Sequence, residues 1–381
     1  MSMSPTVSVF KNAFLRRAAL LSAIALFIGT VFPQQASAQL TFTPSAGGFQ
    51  TGDNIANVGA PMWVDNLTPG IVGIYYVNHS DNKIVVDGVG TGLGHPQYVF
   101  NPQGLEITVL TGYFTDVGAA VIYPCGSSTC PTMLLDYIDP SQNLHFLTST
   151  DMIHFTTDVI PSASALGIGN QSPYPVLVPG LYSPNNVTQP ANCRGCAYVA
   201  TIGNNDRLVY ISTTFDGIHF SSVYSNGTAV SVWTTLSRPA MVHSPAFDDI
   251  LIGFTSDGPF GPGTRVAMLG AISGTRWPIG YQRSDIHWGN SGRAGTGDFA
   301  GISLVEYNGN LWVFGQDTAA SQYLKYMYAS DGNSPLCCFQ GAVFPGNIQE
   351  RYSPSTIFFN NAIYWVKQDS ASTGIAWGYA Q

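Results

Sequence analysis

The chain has 381 residues, of which only 9% are charged and 12% are aromatic, with 41 glycines and 24 prolines. This composition is typical of a folded, β-rich protein and excludes an intrinsically disordered chain. The formal net charge of −8 argues against a nucleic-acid partner, because phosphate binding needs clustered lysine and arginine side chains.

The N-terminus predicts a cleavable signal peptide over residues 1–38. Lys11, Arg16 and Arg17 precede an apolar run at 18–32, and the small residues at 36–38 suit a cleavage site. The apolar run is short for a transmembrane helix. The alternative to a cleaved signal peptide is an uncleaved membrane anchor. We expect a secreted or periplasmic protein with one mature domain at 39–381 and no stable membrane insertion after cleavage.

Six cysteines fit an exported protein in an oxidising compartment. They form three close pairs, which predict loop-local disulfides: Cys125 with Cys130, Cys193 with Cys196, and Cys337 with Cys338. Such short loops give mainly local rigidity. A zinc site at Cys193 is disfavoured, because no second CxxC and no suitably spaced histidine pair follows. The adjacent Cys337 and Cys338 could form a strained vicinal bridge, bridge to other partners, or remain small buried residues.

In chain order, a lone strand at 40–43 comes before a series of predicted β-hairpins. The turn Asn308-Gly309 is the strongest hairpin signal. Several of these hairpins follow a proline, which is tolerated at a strand's first residue. They begin at Met62, Tyr98, Pro175, Ala240, Ile302 and Ser355, the one from Pro175 being divided by an insertion before Cys196.

A second type of hairpin follows the first at intervals. Its clearest copy is RLVYISTTFDGIHFSSVY at Arg207–Tyr224, which turns at Asp216-Gly217, where Asp bonds its own backbone and Gly allows positive φ. Weaker copies begin at Asn143, Arg265 and Tyr323. A first hairpin plus a second hairpin supplies four antiparallel strands, which is the content of a propeller blade.

The repeats therefore predict an all-β fold, a β-propeller of four-stranded antiparallel blades. Six blades are favoured, and five are the alternative because only a short stretch separates Lys83 from Tyr98. The last unit stops one strand short, so we expect the strand near Leu40 to close the ring. A pair of β-sandwiches competes with this fold, whereas the lack of a sustained helical period disfavours an α/β enzyme.

The turns of the second hairpins carry a family resemblance. Ser149-Thr150-Asp151 with Phe155, Asp216-Gly217 with Phe220, and Ser330-Asp331-Gly332 resemble the Asp-box repeats of sialidase-type propellers. They also resemble the turns of arabinanase-like glycosidase propellers. The resemblance implies a fold in which these turns are structural and lie on the outer rim.

Propellers of these families bind ligands at the face that carries the blade-to-blade connections and the loops between strands two and three of each blade. The connections are predicted to carry His95, Arg238, Asp298, Glu350, Arg351 and Tyr352. The loops after the second strands are predicted to carry Asp206, Asp257, Asp317 and Asp369, although Asp is also a common turn residue.

Glycoside hydrolysis needs two carboxyl groups across the scissile bond, and Asp298 with Glu350 is the predicted pair because both come before a first strand. The glycine-rich loop at 283–299 adds Trp288 and Arg293 as sugar-binding candidates, with a plain surface loop as the alternative. A sialidase is disfavoured, because GAPMWVD at the first blade lacks the Arg of the Arg-Ile-Pro motif.

The resulting hypothesis is an exported propeller that recognises or processes glycans, similar to glycoside hydrolases and monomeric, with a carbohydrate or other small polar ligand. Whether it is an enzyme stays open. A non-catalytic lectin or surface-adhesion propeller is the first alternative, and a structural exported protein is the second. We expect no cofactor and no metal.

Overall fold

The structure is a computed structural model. It describes residues 42–44, 62–65, 71–78, 83–92, 95–98, 107–111, 117–125, 130–173, 195–224, 227–231, 234–235, 238–244, 249–258, 261–269, 282–286, 299–317, 324–330, 340–343, 354–359, 361–368 and 375–381. The chain divides into two units, 1–41 and 42–381, and every described residue lies in the second. The predicted signal peptide lies outside the described residues.

The described residues form strands and turns and contain no α-helix, so no helix among them could cross a membrane. The strands are β1 Phe42–Pro44, β2 Met62–Asp65, β3 Ile71–Asn78, β4 Lys83–Gly92, β5 His95–Tyr98, β6 Ile107–Thr111, β7 Val117–Ile122, β8 Thr132–Ile138, β9 Leu144–Ser149, β10 Ala197–Ile202, β11 Val209–Thr214, β12 Phe220–Ser222, β13 Ala240–Ser244, β14 Asp249–Gly258, β15 Gly261–Leu269, β16 Gln282–Ile286, β17 Phe299–Tyr307, β18 Asn310–Asp317, β19 Leu324–Ser330, β20 Gln340–Val343, β21 Ser355–Phe359, β22 Ala362–Gln368 and β23 Ile375–Ala380.

These strands pair into six antiparallel sheets within the described part of the chain. Sheet 1 contains β2 to β6, sheet 2 β7 to β9, sheet 3 β10 to β12, sheet 4 β13 to β16, sheet 5 β17 to β20, and sheet 6 β21 to β23 together with β1.

The sheets contact one another in chain order. β2 lies against β7, β7 against β10, β13 against β17, and β17 against β21, while β21 in turn lies against β2 of sheet 1. Sheets 3 and 4 share a hydrophobic cluster that includes Tyr198, Ile211, Met241 and Ile250. This cyclic order of antiparallel sheets is that of a β-propeller, which confirms the predicted fold class.

The N-terminal strand closes the last sheet, as predicted. β1 pairs antiparallel with the C-terminal β23, with Phe42 opposite Ala380 and Pro44 opposite Gly378. The strand extends through Pro44, which lies at the outer edge of sheet 6, where a residue without an N–H is tolerated. The two ends of the described chain therefore share one sheet, and its outer edge belongs to the strand farthest away in sequence.

The prediction for the start of the second blade was wrong. The hairpin expected from Tyr98 does not open a new sheet, because β5 and β6 both pair with β4 of sheet 1. Sheet 2 begins instead with β7, which pairs with β8. All six residues of β7 are buried, so its sequence VGAAVI lacks the apolar–polar alternation by which the other strands were recognised.

Two of the weaker second hairpins are also longer than predicted. β15 pairs with β16, which begins only at Gln282, and β19 pairs with β20, which begins at Gln340. The predicted turns at Asn308-Gly309 and Asp216-Gly217 are confirmed, whereas the one at Asp331-Gly332 lies outside the described residues. Asn308, Gly309 and Gly217 have positive φ values of 51°, 68° and 74°, as tight hairpin turns require.

The core between sheets 2 and 3 is apolar. It also contains Leu166 and Ile168 from the connection that joins the two sheets. The aromatic rings of Phe146 in β9 and Phe220 in β12 lie 4.6 Å apart and join the sheets directly. This interface fixes the relative position of the turns at both ends of the two sheets.

Candidate functional site

The best described candidate site lies at one turn of sheet 2 and one turn of sheet 3. These are the β8–β9 turn at 139–143 and the β10–β11 turn at 203–208. The opposite ends of the same sheets are in contact, since the Tyr123 N–H donates to the Gly195 carbonyl at 2.8 Å and Gly217 lies against Thr148. The two turns therefore both lie at the other end, which is the face predicted to bind ligands.

At the sheet 2 turn, His145 is held between two carboxylates. Its Nδ1 lies 2.7 Å from Oδ1 of Asp158, its Nε2 lies 3.1 Å from Oδ2 of Asp139, and its ring stacks on Tyr137 with centroids 4.6 Å apart. Both nitrogens can donate only when the ring carries two protons. The His145 side chain is 11% exposed and that of Asp158 is 53% exposed, so the cluster is anchored inside and open to solvent on one side.

The charges of this cluster follow from its hydrogen bonds. Burial raises the pKa of Asp139, but hydrogen bonds from Asn143 and His145 outweigh burial and bring that pKa down to about 2. Burial, together with the charges of Asp158 and Asp139, raises the pKa of Tyr137 to about 12. At neutral pH Asp139 is therefore an ionised acceptor and Tyr137 a neutral phenol.

Sheet 3 repeats the arrangement with a different ring. The Tyr210 hydroxyl donates to Oδ2 of Asp206 at 2.5 Å, and Nε2 of Gln171 donates to the same oxygen at 2.7 Å. Oδ1 of Asp206 accepts the Leu208 N–H at 3.0 Å. The amide oxygen of Gln171 accepts the N–H groups of Asn205 and Asp206. The connection that carries Gln171 is thereby tied to the turn.

This second cluster is also ionised. Burial raises the pKa of Asp206, but the hydrogen bonds from Tyr210, the Leu208 N–H and Gln171 outweigh it, so the pKa lies below its usual value. Burial and then the neighbouring Asp206 raise the pKa of Tyr210 to about 12. Two neighbouring sheets thus present an ordered carboxylate beside an aromatic ring at the same end.

The opposite end of these sheets carries the Asp-box-like turns, and their role is structural. Oδ1 of Asp151 accepts the N–H groups of Ile153 and His154, and Oδ1 of Asp216 accepts those of Ile218 and His219. In each turn the other carboxylate oxygen lies 2.6 Å from Nδ1 of the histidine. Asp216 is therefore a turn former, which confirms the sequence interpretation of this motif.

Most of the predicted site residues lie outside the described residues. They are Asp298, Glu350, Trp288, Arg293, Arg351, Tyr352 and Asp369, together with Cys193, Cys337 and Cys338 of the predicted disulfides. Cys125 and Cys130 form the predicted bridge, and Cys196 is disulfide-bonded as well. Among the described residues, no group of three or more His, Cys, Asp or Glu side chains could hold a metal ion.

Five predicted residues are described. Asp206 lies in the β10–β11 turn, as predicted, whereas three others lie in strands rather than loops. His95 begins β5 in sheet 1, so it does not lead into a second blade. Asp257 lies opposite Pro262 near the end of β14, and Asp317 lies opposite Phe299 at the end of β18. Arg238 comes just before β13 and is partly buried. The backbone therefore brings Asp317 to the start of β17.

Sequence reasoning missed Asp139, His145 and Asp158 as a group. The signal was present, because Asp139 directly follows the apolar segment TMLLDYI, as aspartates follow other second strands. It was overlooked because the Tyr98 hairpin was assigned to this blade, which left β7 and β8 without a place.

No protein-family model matches the sequence, and no curated protein matches it. Solved structures are similar in fold. The BP39L lectin from Burkholderia pseudomallei has a TM-score of 0.51 at 11% identity, covering 84% of this chain and 81% of the lectin. A Hadza microbial sialidase has a TM-score of 0.53 at 11% identity, covering 88% of this chain and 68% of the sialidase.

A Trypanosoma rangeli sialidase in complex with 2,3-difluorosialic acid is similar as well, with a TM-score of 0.53 at 11% identity. The similarity covers 86% of this chain but only 54% of that enzyme. This chain thus spans about half the length of that sialidase. The chain has the β-propeller fold that a lectin and sialidases share.

Proposed function

We propose that this chain is an exported β-propeller that recognises glycans at the sheet ends carrying the β8–β9 and β10–β11 turns. One observation carries the proposal: neighbouring sheets present ionised, hydrogen-bonded carboxylates at the end where propellers bind ligands. The proposal is supported by a fold similar to that of a lectin and of sialidases.

Carboxylates suit this task because they accept charge-assisted hydrogen bonds from sugar hydroxyls. Asp158 is half-exposed while His145 holds one of its oxygens, so its orientation is set before a ligand arrives. Asp206 is oriented in the same way by Tyr210 and Gln171. Pre-ordered polar groups lose little conformational entropy on binding, which favours affinity for small ligands.

The same groups are better suited to binding than to acid catalysis. A glycosidase acid must be protonated near neutral pH, whereas hydrogen bonding lowers the pKa values of Asp139 and Asp206. The space between Asp139 and Asp158 is also filled by the His145 ring, which leaves no room for a sugar between those carboxylates.

A glycoside hydrolase is the second candidate function, with Asp298 and Glu350 as the carboxyl pair. It is supported by the position of β17, which begins at Phe299 directly after Asp298 and lies against β21. Asp317 lies opposite Phe299, so a further carboxyl-bearing residue reaches the same strand end. His95, Arg238, Trp288, Arg293, Arg351, Tyr352 and Asp257 stay proposed as ligand-binding residues.

The deciding experiment combines a glycan array with a panel of aryl glycosides. For the proposed function we expect binding without turnover, at least tenfold weaker in an Asp158→Asn and Asp206→Asn double variant. Asp216→Asn is the matched control, because it removes the same charge at the opposite sheet end and keeps an acceptor for the turn.

Turnover that disappears in an Asp298→Asn and Glu350→Gln double variant would establish the hydrolase instead. If the protein shows no binding and no turnover, both functions are contradicted and a structural exported protein is favoured.

Export is tested by mass spectrometry of the secreted product, whose sequence we expect to begin at Gln39. We expect the same product to run as a monomer in size-exclusion chromatography. Retention of residues 1–38 would contradict the cleaved leader.

A further inference from the structure

The loop between β7 and β8 carries a disulfide at the surface. Cys125 and Cys130 are bridged across this loop; Cys125 is exposed and Cys130 is partly buried. The strands on either side differ sharply from the loop, because every residue of β7 and nearly all of β8 is buried. A thiol in solution can therefore reach the bridge without first opening the sheet.

The bridge lies beside the contact that joins sheet 2 to sheet 3. Two residues before Cys125, the Tyr123 N–H donates to the Gly195 carbonyl at 2.8 Å. A Cβ on Gly195 would lie 2.7 Å from the Tyr123 oxygen, so the two backbones touch where only glycine fits. Gly195 also has a φ of 86° and directly precedes Cys196.

Cys196 differs from Cys125 in one decisive respect. It too is disulfide-bonded, but its residue is 0% exposed and it belongs to the hydrophobic cluster between sheets 3 and 4. The Tyr123–Gly195 contact thus has an accessible bridge on its sheet 2 side and a buried cysteine on its sheet 3 side. Accessible and buried disulfides differ in exchange rate because the attacking thiolate must reach a sulfur in line.

We propose that Cys125–Cys130 is a thiol-exchange site that controls the contact between sheets 2 and 3, and that its reactant is a dithiol. A thiolate of the dithiol attacks one sulfur, the Cys125–Cys130 bond breaks, and the other cysteine leaves as a thiolate. The second thiol of the reactant then attacks the mixed disulfide. Two protein thiols and one oxidised dithiol result, so two electrons pass to the protein.

Opening this bridge loosens the contact without unfolding the propeller. The bridge closes a loop of a few residues, and short loops restrict the unfolded chain little, so global stability changes modestly. The local effect is larger, because Tyr123 loses the constraint two residues away while the β-ladder of β7 and β8 remains. The site therefore converts a redox change into opening of one sheet contact.

The first test is reduction of the native protein by graded dithiothreitol, followed by alkylation and peptide mass spectrometry. We expect Cys125 and Cys130 to be labelled at least tenfold faster than Cys196. Labelling of Cys196 first, or of all three together, would overturn the proposal. Circular dichroism in the same samples establishes that the chain is folded while it is being labelled.

The second test measures amide hydrogen exchange on oxidised and reduced protein. The Tyr123 amide should exchange at least tenfold faster after reduction, while the Phe146 amide, which donates to Val159 in the same sheet, should stay unchanged. A Cys125→Ser and Cys130→Ser double variant should reproduce the reduced state without dithiothreitol. Equal exchange of the Tyr123 amide in both states would overturn the coupling between the disulfide and the sheet contact. That result would not contradict the proposed glycan binding.

Discussion

Sheets 2 and 3 both contain an Asp turn of the same kind, but different residues pack beneath it. In both, a Thr-containing strand enters an Asp turn that continues as Asp151-Met152-Ile153-His154-Phe155 or as Asp216-Gly217-Ile218-His219-Phe220. Each turn packs back on the preceding sheet: the Tyr75 hydroxyl of sheet 1 donates to the Met152 carbonyl, and Gly217 lies against Thr148 of sheet 2. The hydrogen bonds of the turn are shared, whereas the packing beneath it is specific to each sheet.

The largest difference is expected at the phenylalanine that ends each motif. Phe220 is buried in the core between sheets 2 and 3, while Phe155 is partly buried and meets Tyr75 edge-on at 6.5 Å between ring centroids. Phe220→Ala should lower the free energy of unfolding by about 3 kcal/mol, because it leaves a cavity in that core. Phe155→Ala should cost about half as much, in proportion to the smaller area it buries.

Urea unfolding monitored by tryptophan fluorescence checks this difference, with an unchanged slope against urea as the control for an unaltered unfolded state. Equal costs at the two positions would mean that burial of the two rings does not differ in solution.

Gly217 should be the next most sensitive position. Its φ of 74° is unfavourable for a residue with a side chain, and a Cβ there would lie 2.5 Å from Cγ2 of Thr148 and 2.8 Å from Cδ1 of Leu134. Gly217→Ala should therefore cost about 2 kcal/mol, from backbone strain and from the clash together. Combining it with Thr148→Ser removes the clashing methyl group and should recover part of that loss.

If Thr148→Ser recovers none of the loss, the cost of Gly217→Ala comes from the backbone and from Leu134 rather than from the Thr148 methyl group. Thr148→Ser by itself serves as the reference for the lost methyl group, so the interaction is measured as a double-mutant cycle.

Met152 occupies the position of Gly217 but keeps a side chain at a φ of 69°, and that side chain is buried. Truncation to Ala or to Gly removes the same packing, so the two variants differ chiefly in backbone strain. We expect Met152→Gly to be more stable than Met152→Ala by about 1 kcal/mol. At an ordinary strand position a glycine variant is less stable than an alanine variant. A lower melting temperature for Met152→Gly than for Met152→Ala would therefore contradict the left-handed conformation.

These two turns show what the sequence could predict. The conformation of Asp216 and Gly217 can be predicted from their residue types, since Asp bonds its own backbone and Gly permits positive φ. The same conformation cannot be predicted at Met152, because the backbone strain there is offset by packing against residues distant in sequence. The turn that follows Ser149 was nevertheless predicted, from Asp151. The packing that allows Met152 a positive φ involves sheet 1.

The misassigned blade has a similar physical cause. β7 is buried on both faces, so its apolar run carries no alternation, while the segment from Tyr98 carries a Gly turn that resembles a hairpin. The His145 cluster was missed for the same reason. Its three polar residues are brought together only by the pairing of β8 with β9 and by the Phe146–Val159 bridge, which no local pattern announces.

The smallest expected effect is on the acid dependence of stability, in which the two ring–carboxylate clusters are compared. The folded-state pKa of Asp139 is about 2, below the ordinary value of 3.8, so its ionised form stabilises the folded protein above about pH 4. That contribution is lost as the pH falls from about 4 through 2. Asp139→Asn keeps an acceptor for His145 but cannot titrate, so its stability should depend less on pH over that window.

Asp206→Asn should behave in the same direction, because Tyr210 and Gln171 hold the pKa of Asp206 below its usual value. Urea unfolding from pH 2 to pH 7 measures both variants against the unmodified chain, whose stability should approach that of each variant toward pH 2. A wild-type curve that runs parallel to both variants would mean that neither carboxylate is held by its ring. If only one variant departs from the wild-type slope, only that carboxylate is held in its ionised form by its hydrogen-bond partners.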